Sequence, residues 1–417
     1  MITTNNTRLA ASGLLLSAMA LALSACGGGG DASTPPPVAT TPPVVTPPVV
    51  TPPVVTPPLP PLANQLYTET NETANAVVHL VRNADGGITI ANRVATGGAG
   101  LNGVDAGTTK APGPDSVFSQ HSVIVSPDHT TLFAVNAGDA SVSVFAIDQA
   151  NGDLSLKKTT KTLGSTPTSL AFNNGILYVM FQTGSNQLGT YTVQADGALA
   201  QIGLYALPAG AMKPTQIVIS PDNNYIVASS GPMSNTVASF PMNRDGSLGA
   251  AVVNNTASSS LSMPFAGIFA SPTLYLETDL GTKGLASYTF SQSGALSRIG
   301  AAVIGETAPC WLALTPDRRF VFVGNGSGAV SSLALGADGG LTLINAKAAS
   351  EPSAIDGVPP VAADSFLSAD GKYLYVAYLG DDKVVSYAIG AEGGLTKVNE
   401  QLIGTATKLS MQGLTGF

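Results

Sequence analysis

Side chains suited to bond-making chemistry are scarce in this chain of 417 residues: three histidines, His79, His121 and His129, and two cysteines, Cys26 and Cys310. His79 lies inside an apolar run, His121 opens another and His129 falls in a turn. That scatter has none of the spacing a zinc site needs. The sequence holds no Gly-x-Ser-x-Gly elbow, no His-Glu-x-x-His and no phosphate-cradling glycine loop. Asp381-Asp382 reads as a solvated turn rather than a pair of metal ligands. No metal and no cofactor is therefore expected. Cys310 has no base near it in sequence and is expected to be an inert buried thiol, with Trp311 beside it packing in the core. The 18 basic and 26 acidic residues give a net charge of −8, only 11% of residues are charged, and no Lys/Arg run occurs. Such a balance argues against nucleic acid as a partner.

The elements that must position these residues announce themselves by repetition. A Gly followed two positions later by Leu or Ile recurs at Gly86, Gly152, Gly197, Gly246, Gly294, Gly339 and Gly393, in steps of 66, 45, 49, 48, 45 and 54 residues. The second repeat is the clearest. His121-Ser122-Val123-Ile124-Val125-Ser126 is a β-branched strand turned by Pro127-Asp128. Leu132-Phe133-Ala134-Val135-Asn136 is a second strand, and Ser141-Val142-Ser143-Val144-Phe145-Ala146-Ile147 a third with period-two alternation. The Asn151-Gly152 turn then leads into a fourth strand from Leu154. The Pro-Asp corner returns at Pro221-Asp222 and Pro316-Asp317 and decays to Ala369-Asp370. Four short strands every ~45 residues read as the blade of a β-propeller, so the expected fold is all-β, with seven four-stranded antiparallel blades. Before Gly86 only two strand-like runs appear, around Leu66 and from Ala76 to Val81. A surplus segment, Lys408 to Leu414, follows the last repeat. That surplus is expected to complete blade 1 and latch the ring, removing an exposed edge. The longest connection, Gly97 to Ser119, is expected to be a mobile flap over one end of the channel.

The N-terminal region reads as an address. Arg8 precedes the apolar run Leu9 to Leu23, too short for a comfortable membrane span, which ends in Leu23-Ser24-Ala25-Cys26. This end resembles a bacterial lipobox, which implies a signal peptide over 1–25 and lipidation at Cys26. Residues 26–63 form a Gly- and Pro-rich tether containing 13 of the 29 prolines. Repeated Thr-Pro-Pro-Val-Val favours extended polyproline II, reaching ~80 Å over the 27 residues from Pro35 to Pro61. The propeller is assigned to 64–417. The expected setting is the bacterial cell envelope, with the protein lipid-anchored in the outer membrane as a monomer. With Cys26 lipidated, Cys310 has no partner for an intramolecular disulfide.

The stretch His121-Ser122-Val123-Ile124-Val125-Ser126-Pro127-Asp128, followed by Leu132-Phe133-Ala134-Val135-Asn136-Ala137-Gly138-Asp139, resembles the lactonase family of seven-bladed propellers. Pro309-Cys310-Trp311-Leu312-Ala313-Leu314-Thr315-Pro316-Asp317, with Ser287-Tyr288 before it, is similar to the secreted branch of that family. The family includes propeller-type 6-phosphogluconolactonase and carboxymuconate-lactonizing enzyme. The resemblance spans about 340 residues, essentially the whole ring. It implies a catalytic role for His121, at the mouth of an inner strand, and for an acid of blade 5, Glu277 or Asp279. Against these stand a backbone-bonding role for His121 and a solvent-facing turn for the acid. The Arg-His pair of active members reads Pro264-Phe265-Ala266-Gly267 here. Two functions follow: a lactone hydrolase or cycloisomerase acting in the channel on a small carboxylated or sugar lactone, or a non-catalytic envelope module binding a glycan or a protein.

Overall fold

A computed structural model describes residues 62–106, 113–209, 211, 213–231, 235–255 and 262–417. Cys26, the signal segment and most of the tether lie outside the described residues. The strands group into seven antiparallel four-stranded sheets, and no helix occurs among the described residues. Blades 2 to 7 are meanders whose innermost strands are Val123–Val125, Ser165–Asn173, Pro214–Ile219, Pro264–Ser271, Pro309–Leu314 and Ala362–Leu367. Blade 1 takes its innermost strand, Gln412–Gly416, from the C-terminal end of the chain, paired antiparallel with Gln65–Glu69. The expected latch is therefore present. Phe417 and Gln65 exchange both backbone hydrogen bonds, at 2.9 and 3.0 Å, and Thr68 Oγ1 donates to the Gly413 carbonyl at 2.6 Å. Each innermost strand touches those of its two neighbours, so the circle closes.

The repeated glycine has a packing cause as well as a turn cause. Gly86 has φ +87°, and a Cβ there would lie 2.0 Å from a ring carbon of Tyr373 in blade 7. Gly393 of blade 7 has φ +77°, and its Cβ would lie 2.8 Å from Phe320 of blade 6. The outer turn of one blade thus presses on the blade before it at a distance only glycine permits. At the opposite corner, Ser126 Oγ donates to Asp128 Oδ1 at 2.6 Å and accepts from Thr131 N at 3.0 Å. The same arrangement holds at Ser368 and Asp370. The corner therefore survives replacement of proline by Ala369, because the hydroxyl and carboxylate make it.

Two expectations are corrected. Asp381 and Asp382 are 5% and 4% exposed, not solvated. Asp381 accepts from Ala354 N and lies 3.6 Å from Lys383 Nζ, while both oxygens of Asp382 accept from Thr405. Adjacent carboxylates at that depth are tolerated because backbone amides, a hydroxyl and an ammonium satisfy them. The described parts of Gly97 to Ser119 are also not a mobile flap. Asp115, Ser116, Val117 and Ser119 are 4%, 2%, 0% and 0% exposed. Gly100 N and Asn102 N donate to the carbonyls of Glu72 and Asn71.

Candidate functional site

What the first long connection does is bridge the ring. Residues 113–121 run from the mouth, where the innermost strands begin, down to the first strand of blade 2. Gln412 Nε2 of blade 1 donates to Asp115 Oδ1 at 2.9 Å. Thr168 Oγ1 and Gln182 Nε2 of blade 3 donate to the Val117 carbonyl at 2.8 and 2.6 Å. Trp311 Nε1 of blade 6 donates to the Ser119 carbonyl at 2.7 Å. Gln120 is the central rivet: its amide donates to the Leu312 carbonyl at 3.0 Å and accepts from Leu312 N at 3.2 Å. Its backbone N donates to Thr215 of blade 4, and its carbonyl accepts from Ser169 Oγ. Phe118 meets Phe265 of blade 5 at 6.1 Å between centroids. The segment is a plug tied to every other blade.

His121 ends this plug in the left-handed region, φ +72°. Its backbone N donates to Asp364 Oδ1 of blade 7 at 2.9 Å, and its carbonyl accepts from Leu170 N. Its Nδ1 lies 3.4 Å from Gln216 Nε2. Burial pulls the imidazole down to about 4, against the upward influence of a hydrogen bond with the Ile217 backbone, so the ring is neutral near pH 7. Asp364 addresses the histidine's backbone rather than its ring, which differs from a catalytic triad, where the carboxylate orients the imidazole.

The blade 5 acids separate cleanly. Asp279 accepts from Ser262 Oγ at 2.6 Å and from the amides of Met263, Gly281 and Thr282. It is a turn anchor and is buried, not solvent-facing. Glu277 is 1% exposed and accepts from Tyr275 Oη at 2.5 Å. Burial pushes its carboxyl up to about 8. Gly267, the last residue of Pro264-Phe265-Ala266-Gly267, pairs with Glu277. A Cβ there would lie 1.8 Å from Tyr275 Oη and 2.5 Å from Glu277 Oε2, while its N–H donates to Gln216 Oε1 at 2.6 Å. No side chain fits that position, so no cation can be presented from it. Gln216 stands between His121 and the Gly267–Glu277 pair, linking the two candidates without bringing them into a catalytic contact.

Three acids escaped the sequence reading. Asp364 is 1% exposed, and burial pushes it up to about 7. Glu69 and Asp115 are raised well above the ordinary carboxylate range, first by burial and then by the charge of Asp364. Asp364 interrupts the apolar run Ala362-Ala363-Asp364, and Glu69 closes an apolar strand, so each carried a faint signal. Asp115 sits in a loop and carried none. Among the described residues no group of three His, Cys, Asp or Glu could hold a metal.

Above the plug, on the mouth face, lies a cavity of about 460 Å³. Pro114, Asp115 and Phe118 of the plug form one wall, Cys310 and Trp311 another, and Leu280 and Val361 close it from blades 5 and 7. Trp311 thus both packs and lines. Phe265 stands behind it, 5.2 Å from the indole centroid. Cys310 is buried, and burial pushes its thiol up, so it stays protonated.

A family model described as "Lactonase, 7-bladed beta-propeller" matches residues 64–206 and 273–359. The stretch between those segments contains Gly267. No curated protein matches the sequence. Among solved structures, a 6-phosphogluconolactonase assigned as putative from Bacteroides fragilis is 18% identical, with a TM-score of 0.64 over 85% of this chain and 98% of that one. The periplasmic gluconolactonase of Pseudomonas aeruginosa is 20% identical, with a TM-score of 0.63 over 82% and 96%. A protein from Lactobacillus plantarum reaches 0.65 at 16% identity, over 85% and 100%. At these identities the likeness is one of fold.

Proposed function

The chain belongs to the lactonase family of seven-bladed β-propellers, and on that footing we propose that it recognises a small lactone in the mouth cavity while tethered to the cell envelope by a lipid on Cys26. One observation carries this reading: the half-open concavity between plug and blades 5 to 7, with Asp115 in a mostly apolar wall. Recognition without turnover is the version the site chemistry favours. Opening a lactone needs a donor for the developing oxyanion and a group to move a proton. The Pro264-Phe265-Ala266-Gly267 stretch offers no cationic side chain, with Tyr275 and Glu277 crowding Gly267, Asp279 is committed to a turn, and His121 is held among Gln216 and its backbone partners. A glycan fits this wall poorly because few polar groups converge on it.

The second reading is hydrolysis or formation of a small carboxylated or sugar lactone, 6-phosphogluconolactonase-like, in the channel. It draws support from family membership and from the neutral imidazole of His121, which is unprotonated near pH 7 and can accept a proton.

A panel of lactones followed by pH-stat with the full chain separates the two. Recognition predicts a raised melting temperature with no ring opening above the uncatalysed rate. Turnover predicts ring opening that falls at least tenfold in His121→Ala, about 1.4 kcal/mol of barrier. The anchor has its own readout: mass spectrometry should find a diacylglyceryl group on Cys26, and an unmodified N-terminus would remove the tether from the proposal.

A further inference from the structure

The described wall of the mouth cavity carries one acid and no cation. Among the described lining residues Asp115 is the one carboxyl, and burial raises it well above the ordinary carboxylate range. At the rim Ser327 Oγ donates to Glu306 Oε2 at 2.9 Å, and that carboxylate is already paired with Lys347 Nζ at 3.6 Å. No Lys or Arg is among the described lining residues. Lys213 Nζ lies 5.7 Å from the Phe118 ring centroid but does not itself line the cavity. The other polar groups on the wall are committed or neutral: the Trp311 N–H goes to the Ser119 carbonyl, and the Cys310 thiol stays protonated. A phosphate or carboxylate entering here would shed part of its hydration with no opposite charge on the described wall to replace it, which disfavours its binding. An uncharged ring would instead meet Phe118, Trp311, Leu280 and Val361, with the Asp115 carboxyl beside it as the polar group.

We propose, resting on the reading of the mouth cavity as the ligand site, that the ligand is an uncharged, apolar-substituted lactone rather than a phosphorylated or carboxylated one. Alkyl γ- and δ-lactones represent this class, and their ring-opened hydroxy acids, being anions, are rejected.

Trp311 is the sole tryptophan of the chain and lines the cavity, so its fluorescence reports occupancy directly. The full chain is titrated with γ-decalactone, with 6-phosphogluconolactone and with 4-hydroxydecanoate, the opened form of the first. The expected result is a saturable change with γ-decalactone at a dissociation constant at least tenfold below that of either anion. Leu280→Arg, which sets a cation on the wall, should weaken γ-decalactone and tighten 6-phosphogluconolactone. The milder Leu280→Ala should weaken γ-decalactone alone, and it serves should the arginine variant fail to fold. Tighter binding of an anion to the wild type, with a saturable Trp311 signal, overturns the ligand class and leaves the cavity reading standing. Silence from Trp311 and an unchanged melting temperature with all three ligands overturn both.

Discussion

Asp364 gives the clearest residue-level consequence, because its sign runs against ordinary acid denaturation. Its folded pKa, about 7, lies above the ~3.9 of an unfolded aspartate. The folded state therefore holds the proton more tightly. The stability this contributes is complete below pH ~4 and is lost as pH rises through about 7. Glu277, at about 8, and the raised Glu69 and Asp115 act in the same direction. Asp364→Asn keeps an oxygen for the His121 N–H and abolishes the titration. Melting temperature against pH from 5 to 8 should decline less steeply in this variant, by a difference on the order of 1–4 kcal/mol. Parallel profiles would mean that Asp364 is ionised when folded. This residue was hard to read from sequence because a lone Asp in a strand resembles any edge position, and its burial arises from blades far away in the chain. Glu277 and Asp279 were legible as a pair, but only the turn amides distinguish the anchor from the buried acid.

The strands were legible because period-two runs between turn glycines depend on local chemistry, and the C-terminal strand because blade 1 visibly lacked one. The plug was not. The connection's Gly, Ala, Thr and Pro followed by a short polar run resemble a flexible loop, and what holds residues 113–121 is a set of partners contributed by six other blades. Loops that long usually serve a site or lack order, and here the contacts decide for the ordered alternative. Gln120→Ala removes both hydrogen bonds to Leu312 and leaves buried backbone groups unsatisfied. The expected loss is roughly 2–4 kcal/mol, with faster amide exchange across residues 113–121 than in the blades. Exchange rising only in blade 6 would show that the plug is held independently of this rivet.

At the scale of the molecule, the ring's two ends differ in kind. The strand-start face holds the plug, the buried acids and the apolar cavity, whereas the opposite face is built from Ser-Asp corners, with Thr315-Asp317 as the threonine version, that close their own hydrogen bonds. Family membership was readable from motifs spread over the ring, since each blade repeats the same solution. The character of the site was not, because it depends on Gly267 and on how seven inner strands converge. The account stands on the mouth cavity as the place of recognition. A crystal structure of the full chain with γ-decalactone tests that most directly. The expected result is the ring seated between Phe118, Trp311 and Val361, its carbonyl within hydrogen-bond reach of Asp115. A ligand bound below the plug against His121, or on the Ser-Asp face with the mouth cavity empty, would contradict it.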